Sequence, residues 1–157
     1  MSQIITGQDD FVRSAVTKLM KGDAVEFGPS TTIGIASSDR SKFYAGIVYH
    51  SWDKTHGTLC FTLGATTPKW ATRGNIRAML SYPFDQLGVN KLMACIASDN
   101  GSSLRLATVP LGNGVRFTRE AILRHQFGKG RHGMVYSLMA DEWQRSQRPR
   151  VVMKEAA

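Results

Sequence analysis

The chain has 157 residues, of which 42% are hydrophobic and 20% are charged, a composition typical of a soluble globular protein. Its net charge is +8, and residues 116–157 carry nine basic and four acidic residues. This charge is compatible with a polyanionic partner such as a nucleic acid. No apolar run has the length of a membrane span, and the first ten residues lack the pattern of a signal peptide. We therefore predict a single domain over residues 1–157, with a basic, partly ordered tail from about 145. We expect it in the cytoplasm and away from membranes.

The two cysteines indicate neither a disulfide framework nor a metal site. Cys60 and Cys95 lie inside the apolar runs TLCFTL and LMACIA, and neither has a Cys or His partner at metal-binding spacing. We predict that both are reduced core residues and that the protein binds no metal.

The first half of the chain reads as a helix followed by antiparallel strands. GQDDFVRSAVTKLMKG, residues 7–22, has a helical apolar face, acidic residues in its first turn and Gly22 as a stop. The strand-like segments 31–37, 42–52 and 58–66 follow, separated by short turns. Two-residue alternation with short turns predicts an antiparallel meander.

The pattern changes after Pro68. Apolar residues at helical spacing predict a helix over 73–87, in which Pro83 should loosen the last turn. The apolar segment 89–97 predicts a strand buried on both faces. Because a helix separates it from strand 58–66, the two strands should run parallel.

The sequence from residue 99 onward predicts a short helix and a hairpin. DNGSSLRLAT, residues 99–108, suits a helix with Asp99 or Asn100 as its cap. REAILRHQF and HGMVYSLMADEW should pair across GKGR. The predicted fold class is α+β, with a single mixed, mostly antiparallel sheet flanked by helices.

The segment 68–75 is a candidate anion site because it follows a strand and opens a helix. Such a turn gathers free N–H groups at the positive end of a helix dipole. Thr72 and Arg73 offer a hydroxyl and a cation, although Gly74 is the segment's only glycine. An ordinary strand-to-helix turn is the alternative.

Taken together, the ordered segments resemble the GNAT superfamily of N-acetyltransferases over about residues 31–143. PKWATRGNIRAMLSYPFDQLGVNKLMACI is similar to its pyrophosphate loop, long helix and following strand, and SDNGSSLRLAT to its Asn-x-x-Ser segment. LGNGVRFTREAILR resembles an interrupted Leu-Gly-Phe motif, and GMVYSLMADEW the last strand. Within the superfamily, the branch that acetylates protein N-termini and small phage or prophage relatives look most similar.

The resemblance implies that acetyl-coenzyme A lies where strands 58–66 and 89–97 splay apart. The usual loop reads Gln/Arg-x-x-Gly-x-Gly/Ala, and Thr67, Trp70 and Thr72 stand at those positions. The main-chain N–H groups of 71–75 would then hold the pyrophosphate. The implied cofactor contacts are Leu63, Gly64, Ala65, Trp70, Ala71, Thr72, Arg73, Gly74, Asn75, Asn100 and Ser103.

The usual catalytic residues of the superfamily have no match. Strand 58–66 has no glutamate, and LATVPLG has no tyrosine before Leu111. We predict that His50 and Tyr136 replace them as base and acid, since a histidine has a suitable pKa. The predicted substrate-side residues are Tyr49, His125, Lys129 and Arg131.

The leading hypothesis is an N-acyltransferase that moves an acetyl group from acetyl-coenzyme A to a primary amine by direct attack in a ternary complex. The acceptor is a protein terminus, a small amine or a nucleobase. The alternative is a weak or inactive protein of the same fold, possibly phage-encoded and acting in a host cytoplasm, that binds a host protein or nucleic acid. The apolar tail segment VVM indicates either a partner protein or a homodimer.

Overall fold

The computed structural model describes residues 1–23 and 26–150, so the end of the predicted tail, including VVM, lies outside the described residues. These residues form seven strands, β1 (Ser2–Ile5), β2 (Thr31–Ser37), β3 (Phe43–Asp53), β4 (Thr58–Ala65), β5 (Lys91–Ala97), β6 (Thr118–Leu123) and β7 (Gly133–Met139). They also form four α-helices, α1 (Asp9–Leu19), α2 (Arg73–Ser81), α3 (Gly101–Ala107) and α4 (Ala140–Gln147). In the described part, no helix is long and apolar enough to cross a membrane.

All seven strands form one sheet in the order β1-β2-β3-β4-β5-β7-β6. Neighbouring strands are antiparallel except β4 and β5, which are parallel. The predicted α+β fold with a mixed, mostly antiparallel sheet is confirmed, as are the meander and the parallel pair.

Helices cover the two faces of the sheet unequally. On the face that we call the α2 face, the main core joins the sheet to α2, α4 and the turn before α2. On the opposite face, the α1 face, a smaller core forms from Val12, Val16 and Val48. Helix α1 contacts β2, β3 and β4.

Helix α1 packs closely on the sheet because three glycines lie side by side beneath it. Gly34 is paired with Gly46, and Gly46 with Gly64, across β2, β3 and β4. A Cβ at Gly46 would lie 2.7 Å from Cγ2 of Val16. The absence of side chains at these positions therefore sets the distance between helix and sheet.

Two expectations about the strands are wrong, and one strand was missed. Strand β1 was not predicted; it pairs with β2 at the edge of the sheet. Strand β5 is not buried on both faces, and Cys95 on it is exposed rather than part of the core, because α1 does not extend over β5. Cys60 is half-buried, and both thiols are free.

The predicted final hairpin forms, but its second strand ends earlier than expected. ADEW begins helix α4 instead of continuing β7. The carboxylate of Glu142 accepts the main-chain N–H of Met139 at 2.9 Å, which caps the helix start. This local bond favours a helix over a longer strand.

The predicted helix 73–87 is interrupted as expected at Pro83. Regular α-helix ends at Ser81, and Tyr82–Gln86 continue as a wider π-turn. Gly88 follows with a φ of +69°, a conformation that glycine adopts without strain.

The inserted residues in LGNGVRF form a loop that caps α4. The side-chain amide of Asn113 donates to the carbonyl oxygens of Arg145 and Arg148 at 2.8 and 2.9 Å. Gly112 lies so close to the Ser146 carbonyl that a Cβ would collide with it. The loop therefore has a structural role at the end of this helix.

Candidate functional site

The centre of the sheet contains an opening between β4 and β5. The two strands pair over only three positions, ending at Cys60 and Met93. Beyond that point β4 stays paired with β3 through Ala65, and β5 stays paired with β7 through Ala97. The predicted splay of the parallel strands is thus present, and we call the space between 61–65 and 94–97 the gap.

The main chain of β4 offers hydrogen-bonding groups to the gap. The N–H of Thr66 donates to the carbonyl of Tyr44 at 2.8 Å, which fixes the alternation along the β3–β4 pair. By that alternation the main-chain groups of Gly64 point to β3, whereas those of Leu63 and Ala65 point into the gap. Two of the three predicted strand contacts are therefore suitably oriented.

The start of α2 has two free donors. The N–H groups of Ala71 and Thr72 bond within the preceding turn, and that of Asn75 bonds to the Thr72 hydroxyl at 3.2 Å. In the described part of the chain the N–H groups of Arg73 and Gly74 have no partner. The space above Gly74 is open. An anion can approach here, but through fewer donors than the five that the sequence predicted.

Two of the predicted loop residues are buried. The Trp70 side chain is 3% exposed and belongs to the main core, so it neither lines nor blocks the outer surface of the loop. The Asn75 side chain donates to the Trp70 carbonyl at 2.7 Å and to the Ser2 hydroxyl at 2.9 Å. Both side chains thus fix the loop in place.

His50 lies on the α1 face beside the base of the gap. One ring nitrogen is 3.0 Å from the Thr62 hydroxyl, the other is 3.0 Å from that of Ser51, and the ring packs against Phe27. Burial holds the pKa of His50 below its ordinary value of 6.5. The imidazole is therefore neutral at pH 7.

Tyr136 lies on the other face of the sheet. It is two residues from Leu138, which belongs to the main core of the α2 face, and it is 8% exposed. His50 and Tyr136 are thus on opposite faces, with β4 and β5 between their strands. The structure does not bring the predicted base and acid together.

Tyr49 is a core residue. It is 2% exposed, its hydroxyl donates to the carbonyl of Met79 at 2.6 Å, and burial strongly raises its pKa. The side chain joins β3 to α2 and does not reach a surface where a substrate would bind.

Arg131 joins three segments of the chain. Its guanidinium makes paired bonds of 2.8 Å to Asp23, paired bonds of 2.8 and 3.0 Å to Asp99, and one of 3.0 Å to the Phe127 carbonyl. The hydrogen bonds that Arg131 donates to the two carboxylates lower the pKa of Asp23 and Asp99 and raise the pKa of Arg131. Its charge is thus neutralised within the fold, which disfavours its predicted position on the substrate side. Arg131 and Asp23 are 108 residues apart in the sequence, so no local pattern indicates that they form this contact.

The remaining hairpin residues form a turn. The Nδ1 atoms of His132 and His125 accept the N–H groups of His125 and Gly130 at 3.1 and 2.8 Å. Both rings therefore carry their hydrogen on Nε2 when neutral. Lys129 is exposed at the tip of the turn.

Asn100 caps helix α3, since its side-chain oxygen accepts the N–H of Ser103 at 3.2 Å. Both residues lie just beyond the end of β5, on the side where the gap opens. The Asn100 amide NH₂ has no partner in the described part of the chain.

The half-buried thiol of Cys60 is a poor nucleophile at neutral pH, because burial raises its pKa. Among residues 1–23 and 26–150, no three His, Cys, Asp or Glu side chains are grouped as metal ligands would be.

The chain is similar to known proteins in structure but not in sequence. No protein-family model matches the chain, and no curated protein matches it in sequence. Glutamate-to-glutamine variants of the spermidine/spermine N-acetyltransferase SpeG from Vibrio cholerae superpose with a TM-score of 0.74 at 12% identity, covering 94% of this chain and 100% of theirs.

Two further solved structures agree. A dodecameric spermidine N-acetyltransferase from Vibrio cholerae has a TM-score of 0.72 at 11% identity, covering 94% of this chain and 98% of its own. A proposed acetyltransferase from T. thermophilus has a TM-score of 0.59 at 20% identity, covering 74% of this chain and 62% of its own. With its splayed parallel strands and this set of neighbours, the chain has the fold of the GNAT N-acetyltransferases.

Proposed function

We propose that the protein transfers an acetyl group from acetyl-coenzyme A to a primary amine by direct attack in a ternary complex. The observation that carries this proposal is the gap, into which the main-chain groups of Leu63 and Ala65 point. An extended pantetheine arm can pair with such a strand edge, as an added strand would. The neighbouring folds, which belong to N-acetyltransferases, support the same reaction class.

The residues present fit coenzyme A, although with fewer loop donors than usual. The arm would lie along β4 and the pyrophosphate at the start of α2, held by the N–H groups of Arg73 and Gly74 and by the Arg73 guanidinium. Asn100 and Ser103 would lie beyond the gap. Acetyl-coenzyme A would supply the activated acyl group, and a main-chain N–H facing the gap would stabilise the negative charge that develops on the thioester oxygen.

Proton transfer would depend on His50. The acceptor nitrogen forms a bond to the acetyl carbon, the bond from carbon to sulfur breaks, and the amine loses one proton while the thiol gains one. His50 is neutral at pH 7 and hydrogen-bonded to Thr62, so it is able to take that proton through a hydroxyl.

The acceptor would be a protein terminus, a small amine or a nucleobase. The neighbouring structures are named for spermidine and spermine, which supports a primary amine. A protein terminus stays among the acceptors as the expectation that the order of the sequence segments raised.

Calorimetric titration with acetyl-coenzyme A tests the proposal. Wild-type protein should bind at micromolar concentration, and Arg73→Glu should lose that binding by reversing the charge at the loop. Arg124→Glu, an equal charge change in the exposed start of the β6–β7 turn, is the matched control. No binding to the wild type at millimolar cofactor would overturn the proposal.

A second candidate is a binding protein with this fold and little activity. The placement of His50 and Tyr136 on opposite faces favours it, because no acid–base pair forms. It predicts binding of a host protein or nucleic acid without acetyl transfer.

A further inference from the structure

Strand β6 leaves one edge of the sheet open. It is the last strand in the sheet order, beside β7, and in the described part of the chain no strand pairs with its other side. All six of its residues are exposed. Such an edge presents a row of main-chain N–H and C=O groups without partners, and these groups can bind another strand.

The two faces of β6 differ in chemistry. Arg119 lies opposite Tyr136 in the register with β7, so its side chain is on the α2 face. By the same register Ala121 and Leu123 lie on the α1 face, where the Leu123 side chain is 41% exposed. The strand therefore presents a cation on one face and uncovered apolar surface on the other.

Three arginines along this edge have no ion-pair partner in the described part of the chain. Arg116 precedes β6, Arg119 lies within it and Arg124 follows it, and all three are exposed. The only acidic residue of this segment is Glu120, whose carboxylate is already bound by the Lys91 ammonium at 2.7 Å. The edge therefore carries three uncompensated positive charges.

This charge selects the kind of molecule that fits the edge. A second copy of the chain would place arginines against arginines, and like charges opposite each other destabilise a strand pair. A nucleic acid would match the charge, but the segment 118–124 has no aromatic side chain on which bases could stack. A strand with carboxylates on one face and apolar side chains on the other matches both faces of β6.

We propose that the free edge of β6 binds an extended acidic segment of a partner protein as an added strand. The carboxylates of that segment pair with Arg119 and Arg124, and its apolar side chains contact Ala121 and Leu123. A bulge between Arg119 and Ala121 bends β6, so the bound segment is short. The inference does not depend on the proposed function, because β5 and β7 separate β6 from the gap.

Calorimetry with a blocked heptapeptide of alternating glutamate and valine tests the inference. Wild-type protein should bind the peptide, and the affinity should fall as the salt concentration rises. Arg119→Gln/Arg124→Gln should raise the Kd about fivefold, since two exposed ion pairs are lost. The same peptide with every main-chain nitrogen methylated keeps its charges but cannot donate to a strand edge, so it should not bind.

Amide hydrogen exchange locates the bound peptide on the protein. The N–H groups of β6 that point away from β7 gain partners when the peptide pairs with the edge. They should exchange more slowly with the peptide bound, whereas the β6 N–H groups that are bonded to β7 should keep their rates. Unchanged exchange throughout β6 with the peptide bound would contradict the inference.

The matched control is Arg77→Gln/Arg105→Gln, which removes two exposed arginines on helices α2 and α3. It should bind the peptide as the wild type does. No binding to the wild type at millimolar peptide, an unchanged Kd in Arg119→Gln/Arg124→Gln, or retained binding of the methylated peptide would each overturn the inference. Tighter binding of oligothymidylate than of the peptide would also overturn it, in favour of a nucleic acid.

Discussion

At the level of single residues, the glycine at position 46 determines how closely α1 approaches the sheet. A Cβ there would lie 2.7 Å from Val16 and 2.8 Å from Val12, both fully buried on α1. Gly46→Ala should therefore lower the free energy of unfolding by about 1–3 kcal/mol, the usual cost of overpacking a core. Urea denaturation measures it.

Gly74→Ala is the control for that substitution. Gly74 is helical and has open space where a Cβ would be, so alanine should leave the stability unchanged or slightly raise it. Equal stability of Gly46→Ala and the wild type would show that α1 is not held against the sheet as described.

His50 gives a prediction about catalysis. If it takes the proton of the acceptor amine, His50→Ala should lower kcat by about 10²–10⁴-fold and leave the Kd for acetyl-coenzyme A unchanged. The wild-type rate should fall at acidic pH only below 6.5, because burial lowers the pKa of His50. Thiol release with spermidine or a peptide as the acceptor measures this.

His56→Ala, in the exposed turn between β3 and β4, serves as the comparison and should keep full activity. An unchanged kcat in His50→Ala would remove the imidazole from the proposed mechanism.

The sequence located single residues well where local chemistry decides their role. The cap of α3 by Asn100 and the effect of Pro83 on α2 were both predictable, because each depends on near neighbours. The burial of Trp70 and the neutralised charge of Arg131 were not. Each depends on residues distant in the sequence that the fold brings together.

At the level of elements, helix α4 depends on the loop 109–117. Asn113→Asp keeps the shape of the side chain but removes both hydrogen bonds to the Arg145 and Arg148 carbonyls. It also places a negative charge at the C-terminal end of a helix, where the dipole disfavours it. We expect a loss of about 1–2 kcal/mol in the free energy of unfolding, measured by urea denaturation.

Asn90→Asp is a useful comparison, because the Asn90 side chain makes a single long bond of 3.4 Å in an exposed turn. Asn90→Asp should lower the free energy of unfolding by less than Asn113→Asp does. A variant Asn113→Asp as stable as the wild type would mean that the loop does not cap α4.

The strands and helices with regular apolar spacing were predictable, as was the short helix α3, whereas the short strand β1 was not. Four residues, SQII, form β1 only because β2 offers an edge to pair with. One side of β5 is exposed because of where α1 packs. The sequence of β5 alone does not indicate that position.

At the level of the whole molecule, Arg131 links the segment after α1, the end of β5 and the β6–β7 turn. Since the bound guanidinium lowers the pKa of Asp23 and Asp99, their contribution to stability is complete above the ordinary aspartate value of 3.8 and is lost as the pH falls below it. Lys91 lowers the pKa of Glu120 in the same direction. The stability of Arg131→Gln should therefore fall less between neutral and acidic pH than the stability of the wild type.

Thermal unfolding at a series of pH values compares Arg131→Gln with Arg13→Gln, which removes one ion pair, with Asp10, and two hydrogen bonds to Ser30. Parallel pH profiles for the wild type and Arg131→Gln would contradict the role of Arg131 as the link.

The most direct test of the account is amide hydrogen exchange, followed by NMR with and without saturating acetyl-coenzyme A. The N–H groups of Leu63 and Ala65 point into the gap, whereas that of Gly64 points to β3. We predict that the cofactor slows exchange at Leu63 and Ala65 and leaves Gly64 unchanged, because only the first two gain a partner. Unchanged exchange at Leu63 and Ala65 with the cofactor bound would contradict the claim that it lies in the gap.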